Sequence, residues 1–362
     1  MSKTIIRPMV PEDRRGFIDL TARRPGFDRI LAERRTEVIW HIAFGNPTSD
    51  GAPTYFVATD GDRLLCHMGR MPTWFFVEGR RHLAAFAHDL FAHPDLQASG
   101  AGFFVTMKLY KTVEDTCRSF CGLLWTNDIN IKLQQARKYD QLWVRRWVRP
   151  LDADRLIRDK LRVLPAPAKA IACAGGRLAI GLGDLALRSV RSGARTEVVF
   201  HADERFDAFA EEVGPRLGTA PVKDRAYVDW RYLSWPHLRA RVIVVPDGPR
   251  KIRGFAVLRE PEADDEPGRI LDLMAAPEDD AAFHGLIAEA LRHYRARRVP
   301  IVETMATSPP LIGALSRFFF VQRLPDKPLF FLNGNKYEHP EHLRRLETWH
   351  HSFGDSEGGE VP

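Results

Sequence analysis

Three stretches of this chain carry residue types and spacings that can do chemistry. Gln97-Ala98-Ser99-Gly100-Ala101-Gly102 lies between two apolar runs, Phe86 to Phe91 and Phe103 to Tyr110. A strand, a glycine turn and a helix start offer backbone N–H groups without intrahelical partners, and the helix dipole adds partial positive charge. Gly100 and Gly102 let a ligand come close to the backbone where a Cβ would obstruct it. That chemistry is phosphate binding; a plain structural turn is the alternative. His88-Asp89 stands just upstream and holds two proton-transfer groups. Adjacent strand residues point to opposite faces, so at most one of the two faces a substrate. An imidazole titrates near neutral pH and suits a general base; hydrogen bonding within the sheet is the plainer role. Asp229-Trp230-Arg231-Tyr232-Leu233-Ser234-Trp235 concentrates aromatics around an arginine. Trp230, Arg231 and Tyr232 form either a wall for a sugar or an amine or a packed layer under a sheet with Arg231 paired to Asp229.

The four cysteines, Cys66, Cys117, Cys121 and Cys173, lack the paired spacing of a zinc site, so no metal is expected. They read as buried thiols of a reducing compartment. The N-terminal residues hold no signal core, and no run reaches a membrane span. A cytoplasmic protein without an integral membrane segment is expected. With 53 basic and 47 acidic residues the net charge is +6. That excess suits an anionic ligand or an acidic partner and falls short of a nucleic-acid stripe.

The positioning elements recur in the same order twice. A first strand at Ile5-Ile6 and two helical stretches precede three apolar runs separated by Asp60-Gly61 and Glu78-Gly79. Those turns predict an antiparallel meander. The glycine turn starts a helix from Gly102 to about Asp115, followed by a strand at Gly122–Thr126, a helix from Asp128 and one strand through Leu142, Val144 and Trp147. Residues 151–195 shift to Ala, Leu and Arg and predict linker helices. From Glu197 the pattern repeats as strands, a long helix over about Ala281–Arg298, a strand, a short helix after Ser308-Pro309-Pro310, and closing strands at Phe318–Val321 and Leu329–Leu332. The reading is α+β, with a unit at 1–150, a helical linker at 151–195, a second unit at 196–335 and a C-terminal tail at 336–362 whose end is mobile. Each unit is a mixed, mostly antiparallel sheet flanked by helices.

The glycine turn excludes two nucleotide loops. A Walker-type loop needs Lys then Ser or Thr after its last glycine, and here Phe103-Phe104 follow. A dinucleotide fingerprint needs a third glycine where Val105 stands. The run Asp89-Leu90-Phe91-Ala92-His93-Pro94-Asp95-Leu96-Gln97-Ala98-Ser99-Gly100-Ala101-Gly102 resembles the coenzyme A loop of the GNAT superfamily of N-acyltransferases. The resemblance covers residues 4–148 by motif and 196–333 by architecture, as in tandem GNAT proteins with a degenerate second domain. It implies that N–H groups from Gln97 to Phe103 (Gln97, Ala98, Ser99, Gly100, Ala101, Gly102, Phe103) hold the pyrophosphate. Leu90-Phe91-Ala92 would pair with the pantetheine amides as an added strand, and a backbone N–H near Phe91 would face the developing oxyanion. Asn127 would contact the cofactor or cap the next helix.

His88 aligns with the carboxylate that the family often uses as base. An alkylamine with a pKa near ~10.4 must lose a proton before attack, a penalty of about 4–5 kcal/mol at neutral pH. The family's tyrosine, seven residues after the Asn, is Gln134 here, so the acid that serves the leaving thiolate is left open. In the second unit Ile270–Met274 is followed by Ala275-Ala276-Pro277-Glu278-Asp279-Asp280, whose acids repel a pyrophosphate. One donor site per chain is expected. The resemblance thus implies transfer of an acetyl or other acyl group from acyl-CoA to a small amine, such as an amino sugar or an envelope or polysaccharide precursor, bound between the halves. An acyl carrier protein is a second possible donor. The competing reading is a non-catalytic coenzyme A sensor or assembly protein. A third is attachment to a membrane surface through the basic 151–195 segment.

Overall fold

The computed structural model describes residues 4–48, 51–98, 100–117, 121–123, 128–160, 165–189, 194–263, 266–323, 330–333 and 341–355. In chain order the elements are β1 (Ile5–Pro8), α1 (Arg14–Thr21), α2 (Arg29–Gly45), β2 (Tyr55–Asp60), β3 (Arg63–Val77), β4 (Arg80–Ala92), α3 (Pro94–Gln97), α4 (Gly100–Asp115), β5 (Cys121–Leu123), α5 (Asp128–Ala136), β6 (Tyr139–Leu142) and β7 (Arg146–Pro150). There follow α6 (Ala153–Lys160), α7 (Ala166–Ser189), β8 (Glu197–Val199), α8 (Glu204–Glu212), β9 (Ala220–Pro221), α9 (Arg225–Val228), β10 (Ala240–Pro246), β11 (Ile252–Arg259), β12 (Gly268–Ala275), α10 (Asp280–Ala296), β13 (Ile301–Met305), α11 (Pro309–Arg317), β14 (Val321–Arg323) and β15 (Phe330–Asn333). No described helix is long and apolar enough to cross a membrane.

Two mixed, mostly antiparallel sheets result. One runs β1-β2-β3-β4-β5-β15-β6, with β9 on β3; the other, read the same way, runs β8-β10-β11-β12-β13-β7-β14. The orders correspond strand for strand. In each, an antiparallel meander is followed by one parallel pair, β4 with β5 or β12 with β13. The expected single strand through Leu142, Val144 and Trp147 is two strands. β6 stays in the first sheet, whereas β7 crosses to pair with β13 and β14. β15 makes the return crossing and sits between β5 and β6. Each unit lends one strand to the other, so the apolar edges that the crossing strands cover come from opposite ends of the chain.

Alternation along the strands builds three layers of core. Ala85, Ala87, Phe56 and Met68 face α4 through Leu109, Tyr110 and Val113. Ile243, Val245, Ala256 and Leu258 face α10 through Phe283, Leu286 and Ile287. The opposite faces share one core, in which Tyr55, Phe75 and Phe86 join Val242, Val244, Phe255 and Val257. Strands buried on both faces read as continuous apolar runs, which is the pattern seen in the sequence.

Within the C-terminal tail, residues 341–355 enter the shared core, where Leu343, Trp349 and Phe353 are buried; the end expected to be mobile lies outside the described residues. Trp349 pairs with Thr219, and its ring lies 6.1 Å from Phe75. The apolar anchors are widely spaced among polar residues, so composition hid them. Beneath them Lys223 is buried between Asp272 of β12 and Asp355, 2.6 Å away. Tyr232 donates to Asp272 at 2.7 Å, and the Ser352 hydroxyl bridges Asp272 and Asp355. Burial opposes the Lys223 charge, but the two carboxylates outweigh it and raise its pKa.

Candidate functional site

The site forms where β4 is bulged. Gly69 of β3 opposes His88 and His67 opposes Phe91, so Asp89 and Leu90 together face Met68. Asp89 takes up the extra residue in the left-handed region, at φ +54°. The inserted residue breaks the two-residue alternation that would send His88 and Asp89 to opposite faces, and both side chains enter the shared layer. His88 Nδ1 is hydrogen-bonded to the Tyr55 hydroxyl at 2.9 Å. Asp89 accepts from Arg24, just after α1, at 2.6 Å and from Arg35 of α2 at 3.0 Å.

These two groups have different chemical prospects. Burial alone would raise the Asp89 pKa, but Arg24 and Arg35 outweigh it and hold the carboxyl well below its usual range. A carboxylate held that firmly is a poor proton acceptor. His67, with Nδ1 3.7 Å from Asp89 and its ring on Phe17, is pushed down by burial to about 3 and is neutral at ordinary pH. His88 is left as the imidazole of the site that carries a hydroxyl partner.

Gly69 makes that partnership possible. Tyr55, Gly69 and His88 stand side by side on β2, β3 and β4. A Cβ at Gly69 would lie 2.4–2.8 Å from the Tyr55 ring. The tyrosine crosses over β3 only because that strand has no side chain there. Sequence reasoning missed both residues: a tyrosine inside an apolar run and a lone strand glycine signal nothing until the register is known.

The glycine turn has a defined geometry. His93 caps α3, its Nδ1 accepting the Asp95 N–H at 3.2 Å. Gln97 donates to the Ala92 carbonyl at 2.5 Å, closing the turn onto the strand end. A Cβ at Gly102 would sit 1.8 Å from the Leu96 carbonyl oxygen. Gly102 is therefore required by the close approach of α4 to the Leu96–Gln97 peptide. α4 begins at Gly100, so its first N–H groups, those of Gly100, Ala101, Gly102 and Phe103, have no intrahelical acceptor. The Phe103 and Phe104 rings are exposed. Ser99 and Asn127 lie outside the described residues.

Beside the turn, β4 runs on to Ala92, past its described pairing with β5, which covers Ala85 to Ala87. Among the described residues, His88 to Ala92 have no strand on that side; residues 124–127, which follow β5, lie outside them. Leu90 and Phe91 are half-buried and Ala92 is buried; the Arg24 guanidinium lies 4.7 Å from the Phe91 ring centre. Gln134 is buried in α5, and Tyr139 donates to Glu114, so neither stands in for the family's tyrosine.

Trp230, Arg231 and Tyr232 are buried, which matches the packed alternative. Arg231 donates to the Gly354 carbonyl and lies 4.1 Å from the Trp235 ring centre, Tyr232 bonds Asp272, and Trp230 donates to the His41 carbonyl. The expected pair of Arg231 with Asp229 is not the one formed, since Asp229 accepts the Ala202 N–H. An open cavity of about 600 Å³ lies elsewhere between the halves, lined by Gln141, Trp143, Arg145, Trp147, Thr307 and Gln322 among others. The row Ala87, Leu123, Phe331, Gln141 runs straight across the first sheet from β4 to this cavity. Three strand spacings put its near wall roughly 14 Å from β4.

No protein-family model matches the sequence, and no curated protein matches it. Solved structures do. A GCN5-related N-acetyltransferase from Anabaena variabilis superposes with a TM-score of 0.60 at 11% identity, covering 91% of this chain and 72% of that one. One from Kribbella flavida gives 0.55 at 12%, over 91% and 70%. N-myristoyltransferase from Saccharomyces cerevisiae, solved with bound myristoyl-CoA, gives 0.55 at 12%, over 92% and 83%. Identities this low speak to fold alone, and the bulged β4, the glycine turn and the doubled sheet agree with it: the fold of this chain is GNAT-like.

Proposed function

We propose that the chain is an acyl-CoA-dependent N-acyltransferase. The observation that carries this reading is the adjacency on β4 of a glycine turn leading into α4 and the buried Tyr55–His88 pair. The N–H groups at the start of α4 suit a pyrophosphate. The strand end from Leu90 to Ala92 suits the pantetheine amides, with a backbone N–H near Phe91 toward the developing oxyanion. In the reaction the amine nitrogen attacks the thioester carbonyl, the C–S bond breaks, and the amine proton leaves to His88. Tyr55 orients the imidazole and shares the proton. Asp89 acts on the backbone instead. Pinned by Arg24 and Arg35, it holds the bulge that aims His88.

The donor is most simply acetyl-CoA; a longer acyl-CoA or an acyl carrier protein is the variant to compare. The acceptor is a small amine, an amino sugar or an envelope or polysaccharide precursor, reaching from the end of β4 toward the cavity at Trp143 and Arg145. Amides, a hydroxyl and indole faces in that cavity suit a sugar. The non-catalytic sensor is the second reading, favoured by the buried Gln134 where the family places its tyrosine.

Calorimetry with acetyl-CoA followed by thiol release across a panel of amines separates the readings. Binding with turnover supports the transferase, binding without turnover the sensor, and no binding removes both. Gly69→Ala, which drives a methyl group into the Tyr55 ring, is expected to lower kcat about 100-fold with the KM for acyl-CoA unchanged. Tyr55→Phe is expected to cost about tenfold, the worth of one hydrogen bond. Full activity in both variants would remove Tyr55 from the mechanism.

A further inference from the structure

Helix α7 has an apolar stripe that no described residue covers. Ile171, Leu178, Leu182 and Leu185 are 58–75% exposed. Their spacing of seven, four and three residues places them on one face along roughly 21 Å of helix. Gly175 lies in the same stripe, and a Cβ built there would meet nothing within 4 Å.

The helix is fixed with this stripe outward. On its other side Gly176 packs against Ala153 and Ile157 of α6, where a Cβ would come within 2.7 Å of Ala153. Asp184 accepts from Arg149 at 2.5 Å and also from Arg295, which ties α7 to the second sheet. Gly183 abuts the Phe319 ring, itself about half exposed. Four large aliphatic side chains are thus held in water by a helix that cannot roll to bury them.

Charge selects what covers them. Residues 151–195 hold nine Lys and Arg against four Asp and Glu, a net +5 out of the +6 of the whole chain. A second copy of this chain would bring the same positive charge to the contact. An anionic bilayer surface offers both an acyl layer for the leucines and phosphate groups for the basic residues of this stretch of sequence.

We propose that α7, with the basic segment around it, is a peripheral docking surface for anionic lipid membranes. The helix lies in the plane of the interface with Ile171, Leu178, Leu182 and Leu185 in the acyl boundary. This inference does not rest on the transferase reading.

The test is co-sedimentation of the full chain with vesicles of phosphatidylcholine alone and of phosphatidylcholine containing about a third phosphatidylglycerol. Sedimentation with the anionic vesicles is expected, absent with the neutral ones and reversed by salt at about 0.5 M. Leu178→Gln combined with Leu182→Gln is expected to weaken binding by more than tenfold, since each leucine carries about that much. Both positions are exposed, so the melting temperature and acetyl-CoA binding of the double variant are expected to match the parent. A parent protein that stays in the supernatant with anionic vesicles would overturn the proposal, as would a double variant that sediments like the parent. A dimer that the double variant dissolves would assign the stripe to a second copy instead.

Discussion

β4 and β12 occupy the same place in two matching sheets, yet their ends are built for different work. Each is the last antiparallel strand, pairs in parallel with the next, and leads into a long helix. Past β4 the turn is neutral and glycine-rich, and α4 begins without a carboxylate in its first turn. Past β12 the Asp279 side chain caps α10, accepting the Ala282 N–H at 3.0 Å while Arg253 holds it at 2.6–2.8 Å. The helix start that could hold a ligand phosphate is filled by the protein's own carboxylate. The buried acids differ as well. Asp89 sits in a bulge, held by Arg24 and Arg35; Asp272 lies in a closed network with Lys223, Tyr232 and Ser352. One copy of the architecture carries the features of the proposed site, and the other uses the same positions to hold the halves together.

Substitutions that exchange these properties test the comparison. Lys223→Met leaves Asp272 and Asp355 buried without their cation, and is expected to destabilise the protein by about 3–5 kcal/mol in chemical denaturation. A loss under about 1 kcal/mol would show that the network is not what binds the C-terminal segment to the second sheet. Gly100→Asp puts a carboxylate at the start of α4, as in α10, and is expected to lower acetyl-CoA affinity at least about 100-fold by calorimetry. Unchanged affinity would remove the glycine turn from donor binding. Asp279→Ala, the reciprocal change, is expected to cost about 1 kcal/mol of stability as a lost cap and to leave acetyl-CoA affinity unaltered.

The smallest effect is in pH. His67 near Asp89 and His351 near Asp355 are pushed down by burial, to about 3 and about 4. An unfolded histidine binds a proton below about 6.5, so the unfolded state takes up protons that the folded state refuses. Stability is therefore full above that pH and falls as the pH drops toward 4, by up to about 1.4 kcal/mol per pH unit for each histidine. A melting temperature constant from pH 7 to 4 would show that both rings are charged or exposed in the folded protein.

Local chemistry was legible in the sequence. Turn residues marked the meander, apolar runs marked strands covered on both faces, and the glycine turn before an apolar helix marked the start of α4. The repeated order of elements announced two units of one architecture, because that order is written in periodicity and turns. What the sequence could not show depends on register and on contacts far apart in the chain. The Asp89 bulge exists only once β3 and β4 are paired; Gly69 matters only because Tyr55 and His88 flank it. β7 and β15 change sheets without any local sign, since a strand's composition says that it will be covered and not by which neighbour. Residues 341–355 read as a tail because three apolar anchors among polar residues look solvated. Of the groups that join Lys223 beneath them, Asp272 is 49 residues away in the chain and Ser352 is 129. The sequence by itself determined most of the elements and the glycine turn that leads into α4. Tertiary structure alone decided that two arginines lock Asp89 and that His88 meets the Tyr55 hydroxyl, because each is set by pairing across the sheet.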